Sequence, residues 1–366
     1  MLLRLIDRIV RRKAVVVASS SYLNAGKVLH MKMKYIYYFV AVGLVMFLTA
    51  CGGGGSDGGS GTGSLTVSVT DKPIDESAID AVCIAFSRIT VHQPGSGDIV
   101  IPYNPSPPQI TPETHCMDTQ VWDGVSPVPP VKLNALGGPL TVALAESIQV
   151  PAGRITWVRL HLMPGESYVR DNMGVPHDLN CPSCEPTDNN QERGFKLNRT
   201  LEVPENDNIA VMIDVDLRKS LTQQDGSDTY VLRPTARMEP DANLGTIAGE
   251  VSESVIISSG GTTYTGLDID TGCAAYAYSG HDTTPDDYYA GSPVVNTASV
   301  KYDTAMGVYR YALGALVGGT TTTPEQYTVA VTCDADDPDT NDNLAFTAGK
   351  NADVIAGETS TIQPFD

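Results

Sequence analysis

The segment Leu65-Thr66-Val67-Ser68-Val69-Thr70 alternates apolar and polar residues and ends at the turn sequence Asp71-Lys72-Pro73. A period of two places every second side chain on the same face of an extended chain, so the segment predicts a half-buried β-strand. Further β-rich runs follow at close spacing with turn residues between them. They are residues 81–92, 131–136, 140–150, 155–163, 195–203, 209–217 and 230–238.

The composition of the whole chain supports this interpretation. The 366 residues include 34 Gly and 24 Pro, only 18% are charged, and no stretch of helical length has a sustained 3.6-residue apolar period. Many short strands at close spacing are typical of sandwiches and barrels. We therefore predict an all-β protein with two tandem antiparallel β-sandwich domains, one over residues 64–240 and a smaller one over residues 245–366.

The second predicted domain is distinguished by its charge. Residues 245–366 contain 17 acidic and three basic residues. Its strand candidates are 246–251, 274–278, 298–302, 309–313, 327–333 and 353–362. The whole chain has a net charge of −19, which makes nucleic acid an unsuitable partner because phosphate neutralisation needs a basic surface.

The N-terminal region has the pattern of an export signal. Lys32 and Lys34 precede a 16-residue uncharged run that ends in Leu48-Thr49-Ala50-Cys51. A positive start, a short apolar stretch and small residues before a cleavage point indicate a signal peptide, here within residues 1–50, with Met31 as the favoured start. The last four residues resemble the bacterial lipobox, which implies acylation of Cys51. The run 51–63 is a Gly/Ser-rich tether. We expect a lipid anchor in the outer membrane through Cys51.

Six cysteines remain after Cys51, and disulfides persist in exported proteins. Fifteen pairings are possible. Clustering along the chain favours Cys83–Cys116, Cys181–Cys184 and Cys273–Cys333. For the Cys181-Pro182-Ser183-Cys184 segment, a metal site with His177 and redox chemistry are alternatives to a small loop-closing disulfide.

An acidic run directly after Cys333 is the best candidate for a ligand site. Calcium takes about 6–8 oxygen ligands, which carboxylates on one tight loop supply. The alternative interpretation is a solvated polar turn. The candidate calcium ligands are Asp334, Asp336, Asp337, Asp339, Asn341 and Asp342. No spacing nominates catalytic residues.

Tyrosines are crowded in the second domain. Exposed aromatic rings beside carboxylates stack on sugar rings, although several rings in a small sandwich must belong to its core. The nine tyrosines are Tyr264, Tyr276, Tyr278, Tyr288, Tyr289, Tyr302, Tyr309, Tyr311 and Tyr327.

Two family resemblances extend these predictions. The opening strand, the Val150-Pro151-Ala152-Gly153-Arg154-Ile155 turn and Tyr230-Val231-Leu232-Arg233-Pro234 resemble the bacterial DUF4382 lipoprotein domains over residues 63–239. That resemblance implies an uncharacterised surface β-domain without assigned catalytic residues. Residues 245–366 are similar to transthyretin-like or carboxypeptidase-regulatory-like sandwiches through Gly245–Val251 and Tyr309–Leu313. This resemblance implies an accessory or carbohydrate-binding-like module.

Together these features predict a lipid-anchored envelope protein with a non-catalytic binding or structural role, toward a glycan, another envelope protein or matrix. One alternative is a surface glycan-processing enzyme, which needs two carboxylates about 5–9.5 Å apart in a cleft. The other is a calcium-stabilised scaffold.

Overall fold

The fold is described from a computed structural model. The described residues are 61–72, 79–105, 109–117, 123–124, 127–137, 140–163, 165–184, 193–224, 227–266, 269–289, 292–334, 336, 341 and 343–366. The predicted signal peptide, Cys51 and nearly all of the predicted tether lie outside them. The prediction of an all-β protein is confirmed, because strands dominate these residues and form several sheets.

Fourteen of the strands that the structure describes precede residue 241. In chain order they are β1 (Thr62–Lys72), β2 (Ile79–Ile84), β3 (Phe86–Gln93), β4 (Gly97–Pro102), β5 (Val131–Lys132), β6 (Val142–Pro151), β7 (Gly153–Leu162), β8 (Tyr168–Asp171), β9 (Pro176–Asn180), β10 (Phe195–Val203), β11 (Asn208–Asp216), β12 (Leu221–Gln223), β13 (Tyr230–Leu232) and β14 (Ala236–Pro240).

The sheet that contains β1 has the order β14-β11-β1-β6. Leu65, Val67 and Val69 are fully buried, as the alternation of β1 predicts. β1 pairs antiparallel with β6 but parallel with β11, in a register that runs from Ser64 opposite Asn208. Parallel neighbours need a crossover connection, and the connection between β1 and β11 contains all of the strands from β2 to β10.

The other strands before residue 241 form two further sheets. Together with the first sheet they make up what we call the N-terminal half of the described molecule. The orders of the two further sheets are β10-β7-β3-β4 and β12-β13-β9-β8-β2-β5. The predicted single run 81–92 is divided between them, because the chain leaves one sheet at Ala85 and enters the other at Phe86. Strand β4 lies outside the β-rich runs that the sequence predicts. All three sheets contribute side chains to one hydrophobic core.

The C-terminal half forms a single seven-stranded sheet in the order β20-β19-β16-β17-β18-β15-β21. Its strands are β15 (Leu244–Val251), β16 (Asp270–Ser279), β17 (Val294–Asp303), β18 (Val308–Val317), β19 (Glu325–Thr332), β20 (Lys350–Val354) and β21 (Thr359–Thr361). The predicted run 353–362 is interrupted by a turn in which Gly357 has a φ of +79°, a conformation that favours glycine.

Two short α-helices occur among the described residues, α1 (Leu217–Ser220) and α2 (Glu253–Ser258), together with two 3-10 helices at Leu133–Ala135 and Asp241–Asn243. In each α-helix the preceding residue, Asp216 or Ser252, accepts a hydrogen bond from a free backbone N–H of the first turn. None of the described helices has the length and hydropathy of a membrane span.

The sheets of the two halves belong to one compact unit, Ser60–Asp366. β14 ends at Pro240 and β15 begins at Leu244, so no described strand is shared between the halves. Direct contacts nevertheless join them. The Gly318 N–H donates to the Asn243 carbonyl at 2.8 Å, and the Arg237 guanidinium donates to the Ala315 carbonyl.

Candidate functional site

A pocket of about 380 Å³ opens at one end of the C-terminal sheet. The rings of Tyr264, Tyr302 and Tyr309 line it, and we call it the tyrosine pocket. Tyr264 and Tyr302 stack with centroids 4.3 Å apart and planes at 13°, and Tyr302 meets Tyr309 at 4.9 Å and 59°. Tyr309 is buried, whereas Tyr264 and Tyr302 are partly exposed. The three rings therefore form one continuous aromatic cluster that reaches the surface.

The β17–β18 hairpin positions two of these rings. Tyr302 and Tyr309 lie directly opposite each other in the antiparallel register. The Asp303 carboxylate accepts the N–H groups of Ala305 and Met306, and Gly307 closes the turn with a φ of +72°. These backbone hydrogen bonds, that from Met306 first, lower the pKa of Asp303. The turn thus holds both rings at the mouth of the pocket.

The third ring comes from the segment after α2. The backbone N–H of Tyr264 donates to the hydroxyl of Tyr309 at 3.0 Å, which fixes this segment against the hairpin. At the opposite wall, the Ser252 N–H donates to the carbonyl of Phe365 at 2.7 Å. Residues far apart in sequence therefore meet around one cavity.

The other walls of the tyrosine pocket carry acidic residues. Glu250, Glu253 and Asp366 line it, and no Lys, Arg or His is among the described lining residues. Glu250 lies opposite Arg310 across β15 and β18, so its charge has a cationic neighbour. Glu253 and Asp366 are exposed. Aromatic faces beside hydrogen-bond acceptors suit a polyhydroxylated or cationic ligand.

Most of the nine crowded tyrosines do not belong to this pocket. Tyr276, Tyr278, Tyr288, Tyr311 and Tyr327 are buried. Burial raises the pKa of each of these hydroxyls, in the case of Tyr327 to about 12. The hydroxyl of Tyr289 donates to Asp286 at 3.5 Å. Of the nine rings, the structure brings together three at a surface cavity.

A buried polar cluster joins the two halves of the molecule. Arg218, in α1, donates to the carboxylate of Asp336 and to the hydroxyl of Tyr276, each at 2.8 Å. Tyr276 also donates to Asp336, at 2.6 Å. The hydroxyl of Tyr288 donates to Asp216, at the N-terminus of α1. Sequence analysis missed this cluster, since an arginine and an aspartate 118 residues apart carry no local signal.

This cluster bears on the calcium prediction. Asp336, one of the six candidate ligands, is bound by Arg218 and accepts the Tyr288 N–H at 3.2 Å. Asp334 accepts the Ala345 N–H at 2.7 Å. Asp337, Asp339 and Asp342 lie outside the described residues, and Asn341 is exposed. Among residues that the structure describes, no three His, Cys, Asp or Glu side chains form a metal-binding group. Calcium at this loop stays a prediction.

Three disulfides are present, and they join the pairs that clustering favours. They are Cys83–Cys116, Cys181–Cys184 and Cys273–Cys333. His177, the proposed metal partner of Cys181 and Cys184, instead contacts the Asp171 carboxylate at 3.1 Å. Cys181 and Cys184 are bonded to each other, as the predicted loop-closing disulfide requires.

His115 occupies a second, smaller cavity of about 270 Å³, which it lines with Tyr103 and Glu146. Its Nε2 contacts the Tyr103 hydroxyl at 3.1 Å, and its Nδ1 contacts the Thr114 hydroxyl at 2.9 Å. Burial lowers the pKa of His115 to about 4. The imidazole is therefore neutral at physiological pH and hydrogen-bonded at both nitrogens.

The fold and these sites define an all-β, disulfide-bonded protein with an acidic, tyrosine-lined pocket in its C-terminal half. Residues 62–234, which include most of the first three sheets, match the family model DUF4382, described as a domain of unknown function. The match confirms the resemblance to DUF4382 itself over residues 62–234. A search of curated proteins found no significant match.

Proposed function

We propose that this chain is a lipid-anchored protein of the bacterial cell envelope with a non-catalytic binding role, and that the tyrosine pocket is its glycan-binding site. The observation that carries the proposal is the cluster of Tyr264, Tyr302 and Tyr309 beside a cavity of about 380 Å³. Rings that reach the surface offer apolar faces to a sugar, and nearby carboxylates accept hydrogen bonds from its hydroxyls.

The envelope location rests on sequence. The signal pattern, the lipobox-like Leu48-Thr49-Ala50-Cys51 and the paired cysteines all suit an exported, acylated protein. In the proposal, acyl chains on Cys51 hold the protein in the outer membrane.

The C-terminal half is, in this proposal, a transthyretin-like or carboxypeptidase-regulatory-like accessory module. Its support is the resemblance of Gly245–Val251 and Tyr309–Leu313, which lie in the adjacent strands β15 and β18. The tyrosine pocket is formed by this half alone, so the binding role belongs to the module.

A glycan-binding screen on residues 60–366, the compact unit, tests the proposed role. We expect binding that is lost in Tyr302→Ala and retained in Tyr302→Phe, which keeps the ring. Tyr289→Ala is the matched control, because Tyr289 does not line the pocket. Equal binding by Tyr302→Ala and the unsubstituted protein would contradict the site, and the absence of any glycan ligand would contradict the role. Mass spectrometry of Cys51 tests the anchor separately.

A further inference from the structure

The tyrosine pocket combines aromatic rings with a one-sided distribution of charge. Its described lining includes Glu250, Glu253 and Asp366 and no basic side chain. The C-terminal half as a whole carries a net charge of the same sign, since residues 245–366 contain 17 acidic residues against three basic ones. Such a field favours cations near the pocket and disfavours anions.

The three basic residues of this half have partners other than Glu253 and Asp366. Arg310 lies opposite Glu250 and binds the Asp303 carboxylate at 2.8 Å. Lys301 is the cross-strand neighbour of Arg310. Lys350 does not line the pocket, but its ammonium group donates to the carbonyl of Pro364, which does. Glu253 and Asp366 have no ion pair with any of them among the described contacts.

Tyrosine rings have their own preference for cations. The face of an aromatic ring carries negative electrostatic potential, so an ammonium group within about 6 Å of the ring centroid is attracted to it. Tyr264, Tyr302 and Tyr309 form three adjoining rings, and two carboxylates complete the rim. This is the environment in which a protonated amine gains both a charge-assisted hydrogen bond and a cation–π contact.

We infer that the tyrosine pocket selects a ligand with a protonated amino group, and specifically a glycan that contains unacetylated amino sugars. The inference rests on the proposed glycan-binding role and narrows it. The sugar ring covers the partly exposed tyrosines, and its ammonium group pairs with Glu253 and Asp366. A neutral N-acetylated sugar keeps the ring contact but loses the ionic one.

The test compares two ligands that differ only in whether their sugar amino groups are free or acetylated. Calorimetry on residues 60–366 measures binding of a hexamer of β-1,4-linked glucosamine and of its fully N-acetylated counterpart, at a pH where the amines are protonated and the carboxylates ionised. We expect about ten-fold tighter binding of the glucosamine hexamer, and a preference that weakens with added salt.

Two variants test whether Glu253 and Asp366 cause the tighter binding of the glucosamine hexamer. Glu253→Gln combined with Asp366→Asn should bring the two affinities together. Glu358→Gln is the control, because Glu358 is exposed and its backbone pairs with Thr246, at the other end of β15 from the pocket. Thermal unfolding confirms that each variant is folded.

Each outcome separates this inference from the proposed function. Equal affinity for the two hexamers would leave the glycan-binding role intact and overturn the selection of an amine. A preference that survives in the Glu253→Gln, Asp366→Asn variant would also overturn it, because the charge responsible would lie elsewhere. Failure of both hexamers to bind would count against this inference, and failure of the whole glycan screen would count against the role itself.

Discussion

Arg218 and Asp336 form an ion pair across the contact between the two halves of the molecule, with Nη1 and Oδ2 2.8 Å apart. Both side chains are almost completely buried, at 2% and 0% exposure. The guanidinium also lies about 5 Å from the rings of Tyr276 and Tyr288. Taking two charges out of water is costly. Oδ2 of Asp336 accepts hydrogen bonds from Arg218 and Tyr276. Oδ1 of Asp336 is buried and has no hydrogen-bond partner among the described residues, so the carboxylate depends on its cation.

Loss of Arg218 should therefore be strongly destabilising. Arg218→Met leaves the Asp336 carboxylate buried without its cation, which we expect to cost about 3–5 kcal/mol in urea unfolding. Arg310→Met is the control. Its partner Asp303 is at the surface, and exposed pairs contribute about 0–1 kcal/mol. Similar losses in the two variants would show that the Arg218 pair does not stabilise the junction.

The pH dependence of stability should contain a contribution from His115. Its folded-state pKa of about 4 lies below the ordinary value of 6.5, so the folded protein binds this proton less readily than the unfolded chain. Stability therefore falls as pH decreases from 6.5 through 4, by about 3 kcal/mol in total for this group. Urea unfolding at a series of pH values should show a shallower acid loss in His115→Gln. Parallel curves for the two proteins would disprove the assignment.

Gly249 and Tyr311 are predicted to be coupled. A methyl group at position 249 would lie 2.3 Å from the Tyr311 hydroxyl and 2.6 Å from the ring carbon that bears it. Gly249→Ala should cost about 1–3 kcal/mol, because Tyr311 is buried and has little room to move.

Tyr311→Phe provides the matched variant for this pair. The Tyr311 hydroxyl is buried and has no hydrogen-bond partner among the described residues, so its removal should be neutral or stabilising by up to about 1 kcal/mol. In the Tyr311→Phe background, Gly249→Ala should cost less than in the native chain. Strict additivity in the double-mutant cycle would refute the contact.

The three disulfides should differ in their contribution to stability. In the chain-entropy model, Cys273–Cys333 closes a separation of 60 residues and is worth about 4 kcal/mol, while Cys181–Cys184 closes three and is worth about 1–2 kcal/mol. Paired Cys→Ala variants compared by thermal unfolding check this order. The reverse order would mean that effects other than chain restriction dominate.

The Cys273–Cys333 disulfide should also affect the buried ion pair. Asp336 follows Cys333 by three residues, so the disulfide limits how far Asp336 can move away from Arg218. We expect Cys273→Ala with Cys333→Ala to reduce the cost of a subsequent Arg218→Met. An unchanged cost would show that Asp336 is held independently of the disulfide.

Much of the secondary structure could be predicted because its causes are local. The alternation in Leu65–Thr70 reappears as β1, with Leu65, Val67 and Val69 buried on one face. The predicted turn at Pro151–Gly153 separates β6 from β7, and Gly153 has a φ of +129°. Cysteine clustering also pointed to the three bonds that are present. Periodicity, turn residues and short separations act within a few residues, so the sequence shows them directly.

The sequence by itself thus determined an all-β chain, its strand-rich runs and its acidic C-terminal half. The tertiary structure decided how those runs associate. It placed β11 parallel to β1 and moved the chain between sheets at Ala85. It also brought three tyrosines together at a pocket while five others are buried elsewhere, and it directed Asp336 to Arg218. Each of these depends on contacts between segments far apart in the chain, whose free energy comes from burial and pairing that no local pattern encodes.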